Sequence, residues 1–138
     1  MKKIFSITLL LFTAVIFGQE TKPTEDEKED NNIYYLAAVQ KMPQPKDGHS
    51  SLGLYLAKNF NFTPEAIKQN IKGRIFLEFI VEKDGRLTDF KILKGLGYGL
   101  DEEAIRVLSN HENWIPGEHE GKKVRVRFNI PIALNSAN

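Results

Sequence analysis

Three histidines, His49, His111 and His119, are the side chains best suited to acid–base or metal chemistry near neutral pH. They fall in a loop, at a helix end and in a turn, and none has a second ligand at metal spacing. Surface imidazoles are the reading that follows. Asp101, Glu102 and Glu103 form a carboxylate run of the kind that can share a proton in acid–base catalysis. They also stand where an apolar helical pattern begins, and Asp101 as an N-cap with two acids in the first turn accounts for all three. Ser50 and Ser51 have no general base at recognisable spacing. Gly95-Leu96-Gly97-Tyr98-Gly99 has the glycine density of a phosphate cradle. It lacks the Lys-Ser/Thr pair of a P-loop and the G-x-G-x-x-G spacing, so it reads as a flexible connector. With no cysteine in the chain, disulfides, thiolate metal sites, thiol catalysis and a lipid-modified N-terminal Cys are excluded. These residues point to binding rather than catalysis: no enzyme, no cofactor and no metal.

The elements that position a binding surface come from 138 residues, 41% hydrophobic and 27% charged, the profile of one globular domain. Its 19 basic and 18 acidic side chains leave a net charge of +1, which gives no general attraction to nucleic acid or anionic lipid. Lys2 and Lys3 precede a 14-residue apolar stretch, residues 4–17. As a helix this stretch reaches about 21 Å, short of a hydrocarbon core of about 30 Å. Residues 1–18 therefore read as a secretory signal peptide cleaved after Gly18, a loss that takes the net charge from +1 to −1. Residues 19–48 follow as an acidic tether and a loosely ordered arm. The tether sets Glu20, Glu25, Asp26, Glu27, Glu29 and Asp30 against Lys22 and Lys28, and the arm carries a short apolar patch from Ile33 to Val39. The domain proper spans 49–138.

Within it Leu52, Tyr55, Leu56 and Phe60 recur at helical spacing, and Thr63-Pro64-Glu65 is a helix start with Thr as N-cap and Pro at the first helical position. From Gly73 the period changes to two, with Ile75, Leu77, Phe79 and Val81 on one face of a strand. Phe76 and Ile80 make the other face partly apolar, as suits a central strand. Asp84-Gly85 supplies the positive φ angles of a tight hairpin, and the return strand runs through Leu87, Phe90 and Ile92 with room for a bulge after Leu87. Ala104, Ile105 and Leu108 stripe the next helix. Trp114, before Pro116, reads as a lid over the helix–sheet core. Val124, Val126, Phe128, Ile130, Ile132 and Leu134 then alternate with Arg125, Arg127, Asn129 and Pro131. Proline cannot donate to a ladder, so this last strand belongs at a sheet edge. The order is strand, strand, helix, strand, with the first strand central: an α+β two-layer sandwich with a ββαβ core, a three-stranded sheet and short N-terminal helices.

Residues 50–134 resemble the TonB C-terminal domain. The likeness rests on Gly73-x-Ile75-x-Leu77-x-Phe79-x-Val81, on Asp84-Gly85 and on Leu87-x-x-Phe90-x-Ile92. It continues through Leu100-Asp101-Glu102-Glu103-Ala104, Trp114-x-Pro116, Gly121-x-x-Val124 and Pro131-Ile132. Phe62-Thr63-Pro64-Glu65-Ala66 stands where the family has Tyr-Pro-Glu-Ala, one residue longer here. The resemblance implies a periplasmic module whose last strand pairs with the N-terminal Ton box of TonB-dependent outer-membrane receptors. Inner-membrane proton-driven motor subunits would supply the energy through a membrane anchor. A full transducer also has a long Pro-rich spacer, and about 30 residues of tether at roughly 3.3 Å each do not replace it.

The expected function is thus a periplasmic binding module that docks receptor segments by strand addition in support of transport across the outer membrane. One alternative keeps the N-terminal segment uncleaved as an inner-membrane anchor of a full energy transducer. The other is a structural domain that self-associates through the same edge as a homodimer. Nucleic acid is not an expected partner: Lys122, Lys123, Arg125 and Arg127 are too few, and an exported protein rarely meets it. The candidate docking residues are Lys123, Val124, Arg125, Val126, Arg127, Phe128, Asn129 and Ile130, with Arg125, Arg127 and Asn129 turned toward a partner's side chains.

Overall fold

Residues 28–137 are described by the structure, a computed structural model; the expected signal peptide and most of the acidic tether lie outside the described residues. Along the chain come β1 (Ile33–Tyr35), a 3-10 turn (Leu36–Ala38), β2 (Gln44–Pro45), α1 (His49–Asn59) and α2 (Pro64–Lys68). The main hairpin, β3 (Lys72–Val81) and β4 (Leu87–Lys94), leads to α3 (Leu100–Ser109). Two short strands, β5 (Trp114–Ile115) and β6 (Gly117–His119), precede the long β7 (Lys122–Asn135). The sheet order is β1-β7-β3-β4, with β6 joined to β7, while β2 and β5 form a separate two-stranded ribbon.

β3 is central, as its two-sided apolar content requires. It pairs antiparallel with β4 on one side and with β7, from Lys72↔Asn135 to Val81↔Val126, on the other. Ile75, Leu77, Phe79 and Val81 are all buried beneath the helices, and β7 adds Val124, Val126, Phe128 and Ile132 to the same face. α3 supplies Leu100, Ala104, Val107 and Leu108, and α1 supplies Leu52. At the centre Phe79 sits 5.5 Å from Trp114 and 5.9 Å from Phe128, ring centre to ring centre. Burying Phe79 alone stabilises the fold by about 2–3 kcal/mol. Trp114 is only 4% exposed and is the expected lid. The α+β two-layer arrangement with its ββαβ core is therefore present.

Two strands join that core beyond the expected three. β6 and β7 form a hairpin whose turn, Glu120-Gly121, has φ of 51° and 75°, the paired positive values of a tight two-residue connection. β1 adds on the far side of β7. The arm it belongs to lies along the domain: Lys41 and Glu118 exchange backbone hydrogen bonds, and β2 pairs with β5.

Some local details differ from expectation and others follow it. In the β3–β4 turn only Gly85 has positive φ, 82°; Asp84 instead accepts hydrogen bonds from the N–H and the guanidinium of Arg86. The bulge after Leu87 is real and falls at Asp89, whose φ is 53°. Asp101 is not the N-cap of α3. That position is Gly99, at φ 75°, and Asp101 reaches back to accept from the N–H groups of Leu96 and Gly97 at 2.9 and 3.1 Å. The glycine-rich segment expected to be a flexible connector is thereby tied at one end by Asp101. At the other end the Thr63 hydroxyl donates to the Tyr98 carbonyl at 2.6 Å. Thr63 also caps α2 as expected, accepting from the N–H of Ala66.

Candidate functional site

The outer edge of β7, the side away from β3, is where the sequence places a docking surface. Val126 and Arg127 pair with both β3 and β1, so β1 occupies that outer side. It runs parallel to β7 in the register Ile33↔Arg125, Tyr34↔Val126 and Tyr35↔Arg127. Lys123 and Val124, at the start of the candidate stretch, pair with Glu118 and Gly117 of β6. Phe128, Asn129 and Ile130 have β3 as their only strand neighbour among the described residues. The edge is thus covered over 125–127 and open from 128 onward, a finer pattern than a single open edge along the strand.

Side chains along β7 sort by face. Val124, Val126 and Phe128 point into the core, and Ile130 packs against it half-buried. On the opposite, helix-free face Arg125 and Arg127 are committed within the sheet instead of presented outward. Arg125 donates from Nε to Glu82 at 2.8 Å, and Arg127 donates to Glu78 at 3.0 Å and to Asp89 at 3.1 Å. Arg125, followed by the hydroxyl of Thr88, holds the Glu82 carboxyl below its ordinary value. These pairs span β7, β3 and β4, so the arginines clamp the sheet, while exposed Asn129 is the outward polar group of the stretch.

Beyond Arg127 the edge borders a groove missed in the sequence. One cavity of roughly 480 Å³ lies between α1 and the last part of β7, with Leu56, Phe60 and Phe62 on one wall and Ile132 and Leu134 on the other. A second, of roughly 240 Å³, continues it toward Leu52 and Ile130. Both share Gly53 and Leu56 of α1 and Pro131 of β7. Gly53 opens the groove, because nothing lies within 4 Å of where its Cβ would stand. Consecutive β7 residues line the wall, as they do only where a strand is approached edge-on. A helical Gly beside a Leu stripe is the sequence signal for such a gap. The β1 pairing had its own signal, since Ile33-Tyr34-Tyr35 has the β-branched and aromatic makeup of a strand but is too short for alternation to show.

Among the described residues no group of three or more His, Asp and Glu side chains is placed to hold a metal ion. His111 is half-buried beside Trp114: its Nδ1 accepts from Trp114 Nε1 at 2.9 Å, and burial pulls its pKa below the ordinary 6.5.

A small two-layer α+β domain with one long strand, β7, flanked by β3 and over part of its length by β1, is the fold these residues define. The family model described as the Gram-negative bacterial TonB protein C-terminal matches residues 58–135, and the chain belongs to that family. In fold it is similar to an NMR solution structure of the Helicobacter pylori TonB C-terminal domain. That likeness has 21% identity and a TM-score of 0.52, and covers 64% of this chain and 94% of the other. A second NMR structure of the same domain aligns at 21% identity and a TM-score of 0.48, covering 62% and 78%. No curated protein matches the chain in sequence. The family is a non-enzymatic module of transport and protein interaction, periplasmic in Gram-negative bacteria, and membership gives this chain a TonB-like role in outer-membrane transport.

Proposed function

We propose that this chain is an exported periplasmic module that docks the N-terminal segment of TonB-dependent outer-membrane receptors by strand addition to β7, within residues 123–130. The observation that supports this most is the acceptance of β1 by the outer edge of β7 as a parallel strand, with the same edge unpaired from 128 onward. An extended peptide gains main-chain hydrogen bonds there and needs few side-chain contacts, which suits one module serving several receptors. The apolar groove along α1 gives such a peptide a place to bury a side chain.

Amide hydrogen exchange of the mature protein, with and without synthetic receptor N-terminal peptides, tests the proposal. Slowed exchange in 123–130, with β4 unaffected, is expected. Protection on β4 instead, or nowhere, refutes this edge. The N-terminal residue of the native protein decides the role in transport. Gln19 fits a soluble docking module, whereas a retained Met1 with detergent-dependent extraction fits an anchored energy transducer driven by inner-membrane motor subunits.

A further inference from the structure

We infer that β1 is a built-in occupant of the docking edge, so that the chain regulates its own site by competing with the partner; this rests on the docking reading above. β1 is held lightly compared with β7's other neighbour. It contributes three residue pairs where β3 contributes ten, and none of Ile33, Tyr34 and Tyr35 is buried. Tyr35 is 68% exposed and Ile33 37%. A strand with so little buried apolar area opens at far lower cost than the core strands.

The side-chain contacts around β1 are few and lie at the surface. The Tyr34 hydroxyl donates to Asp30 at 2.6 Å, which shapes the segment without fastening it to β7. Its ring lies 5.0 Å from that of His119 on β6. Arg125 donates to the Asn31 carbonyl at 3.1 Å, and Lys83 lies 3.6 Å from Glu29. Immediately after β1, Leu36 packs against the core, and Gln40 and Lys41 bond to Glu118. Residues 28–35 can therefore leave the edge as a flap hinged at Leu36 while the rest of the arm stays in place.

A tethered occupant is present at a high effective concentration and lowers the apparent affinity of any rival by the fraction of time the edge is open. Release also exposes the backbone of 125–127 next to the already open 128–130, joining the two parts into one continuous docking edge. Until a partner arrives, β1 shields part of an edge that would otherwise pair with another chain.

The test uses two variants of the mature protein and, as probe, a synthetic copy of its own residues 28–36. Tyr34→Pro removes a strand N–H together with the Asp30 and His119 contacts. In the second variant, Tyr35→Cys with Arg127→Cys, a disulfide can lock a register pair on the helix-free face, and the chain has no other cysteine. The peptide should bind Tyr34→Pro about tenfold more tightly than the unaltered chain, with exchange slowed in 125–127. The oxidised double variant should not bind it, and reduction should restore binding. Equal affinity for the unaltered chain and Tyr34→Pro, undiminished binding to the oxidised variant, or no protection at millimolar peptide overturns the inference. Receptor peptides run in parallel separate the two readings. If they bind every variant equally, docking stands and self-competition fails. If they bind none while the 28–36 peptide behaves as expected, self-competition stands and receptor docking fails.

Discussion

Along β7 the outer edge changes character at Arg127. Over 125–127 the chain covers it with its own β1, and the neighbouring arginines are tied to Glu82, Glu78 and Asp89. From 128 to 135 there is no outer strand among the described residues; Asn129, Pro131 and Ala133 are exposed, and an apolar groove runs beside α1. One half is closed by backbone pairing and charge, the other left open beside apolar side chains. A single regular strand can therefore carry two different surfaces, because its neighbours and not its own periodicity decide what its edge presents.

The closed half depends on the core behind it, so the largest effect is expected at Trp114. Its ring packs on Phe79 and on Phe128, the latter at 5.7 Å, and its backbone pairs with Pro45 of the arm. Trp114→Ala should destabilise the domain by about 3–5 kcal/mol in chemical denaturation. Lost peptide binding with unchanged stability would instead make Trp114 a binding residue. Next comes Gly85, at φ 82°, whose carbonyl accepts from Trp114 N–H at 3.2 Å. A Cβ there would press into the Trp114 carbonyl, so Gly85→Ala should cost about 2–3 kcal/mol by the same measurement.

The core half of the comparison was legible in the sequence and the edge half only partly so. Alternation in β3 and β7 and Thr63-Pro64 at a helix start are local signals that the structure carries out. Pro131 predicts an edge strand, whereas β7 lies between β1 and β3 and is unpaired on its outer side only from 128 onward, Pro131 included. Asp101 misled because an acid before a helical stripe is equally suited to capping and to binding a preceding loop; the close packing of Gly95 against its carboxylate selects the second. Arg125 and Arg127 alternate as outward contacts would, because alternation gives the face of a side chain but not the acids, Glu78, Glu82 and Asp89, that meet it there. β1 and the groove depend on segments distant in sequence meeting at one edge, which no spacing rule records.

A smaller effect should appear in acid at the junction behind the closed half. His111 accepts the Trp114 N–H on Nδ1, and burial holds its pKa below the ordinary 6.5. The folded chain thus resists a proton that the unfolded chain accepts. Stability contributed by neutral His111 is complete above the unfolded value and falls as pH drops below about 6.5. Glu82, whose carboxyl is held low chiefly by Arg125, adds a loss in the same direction at more acidic pH. His111→Asn should flatten the first of these losses in a melting-temperature profile from pH 7 to 5. An unchanged slope would assign the acid sensitivity to other groups.

The smallest expected change in stability sharpens the comparison most, because it addresses the open half alone. Gly53 lies inside α1, where glycine costs about 0.5–1 kcal/mol relative to alanine, and its Cβ position is empty. Gly53→Ala should therefore stabilise the domain by about that amount. It places one methyl group in a groove of roughly 480 Å³, too little to close it. Gly53→Phe projects a ring from the same point over Leu56 and Pro131, filling the groove without touching β1 or the arginine pairs. If docking uses the open half, Gly53→Phe should weaken receptor-peptide binding while Gly53→Ala leaves it intact, and the binding of residues 28–36 in trans at 125–127 should be the same in both. Unaltered receptor-peptide binding by a folded Gly53→Phe would confine docking to the backbone of the covered half. The groove would then be a packing gap left by a glycine and not a receiving surface.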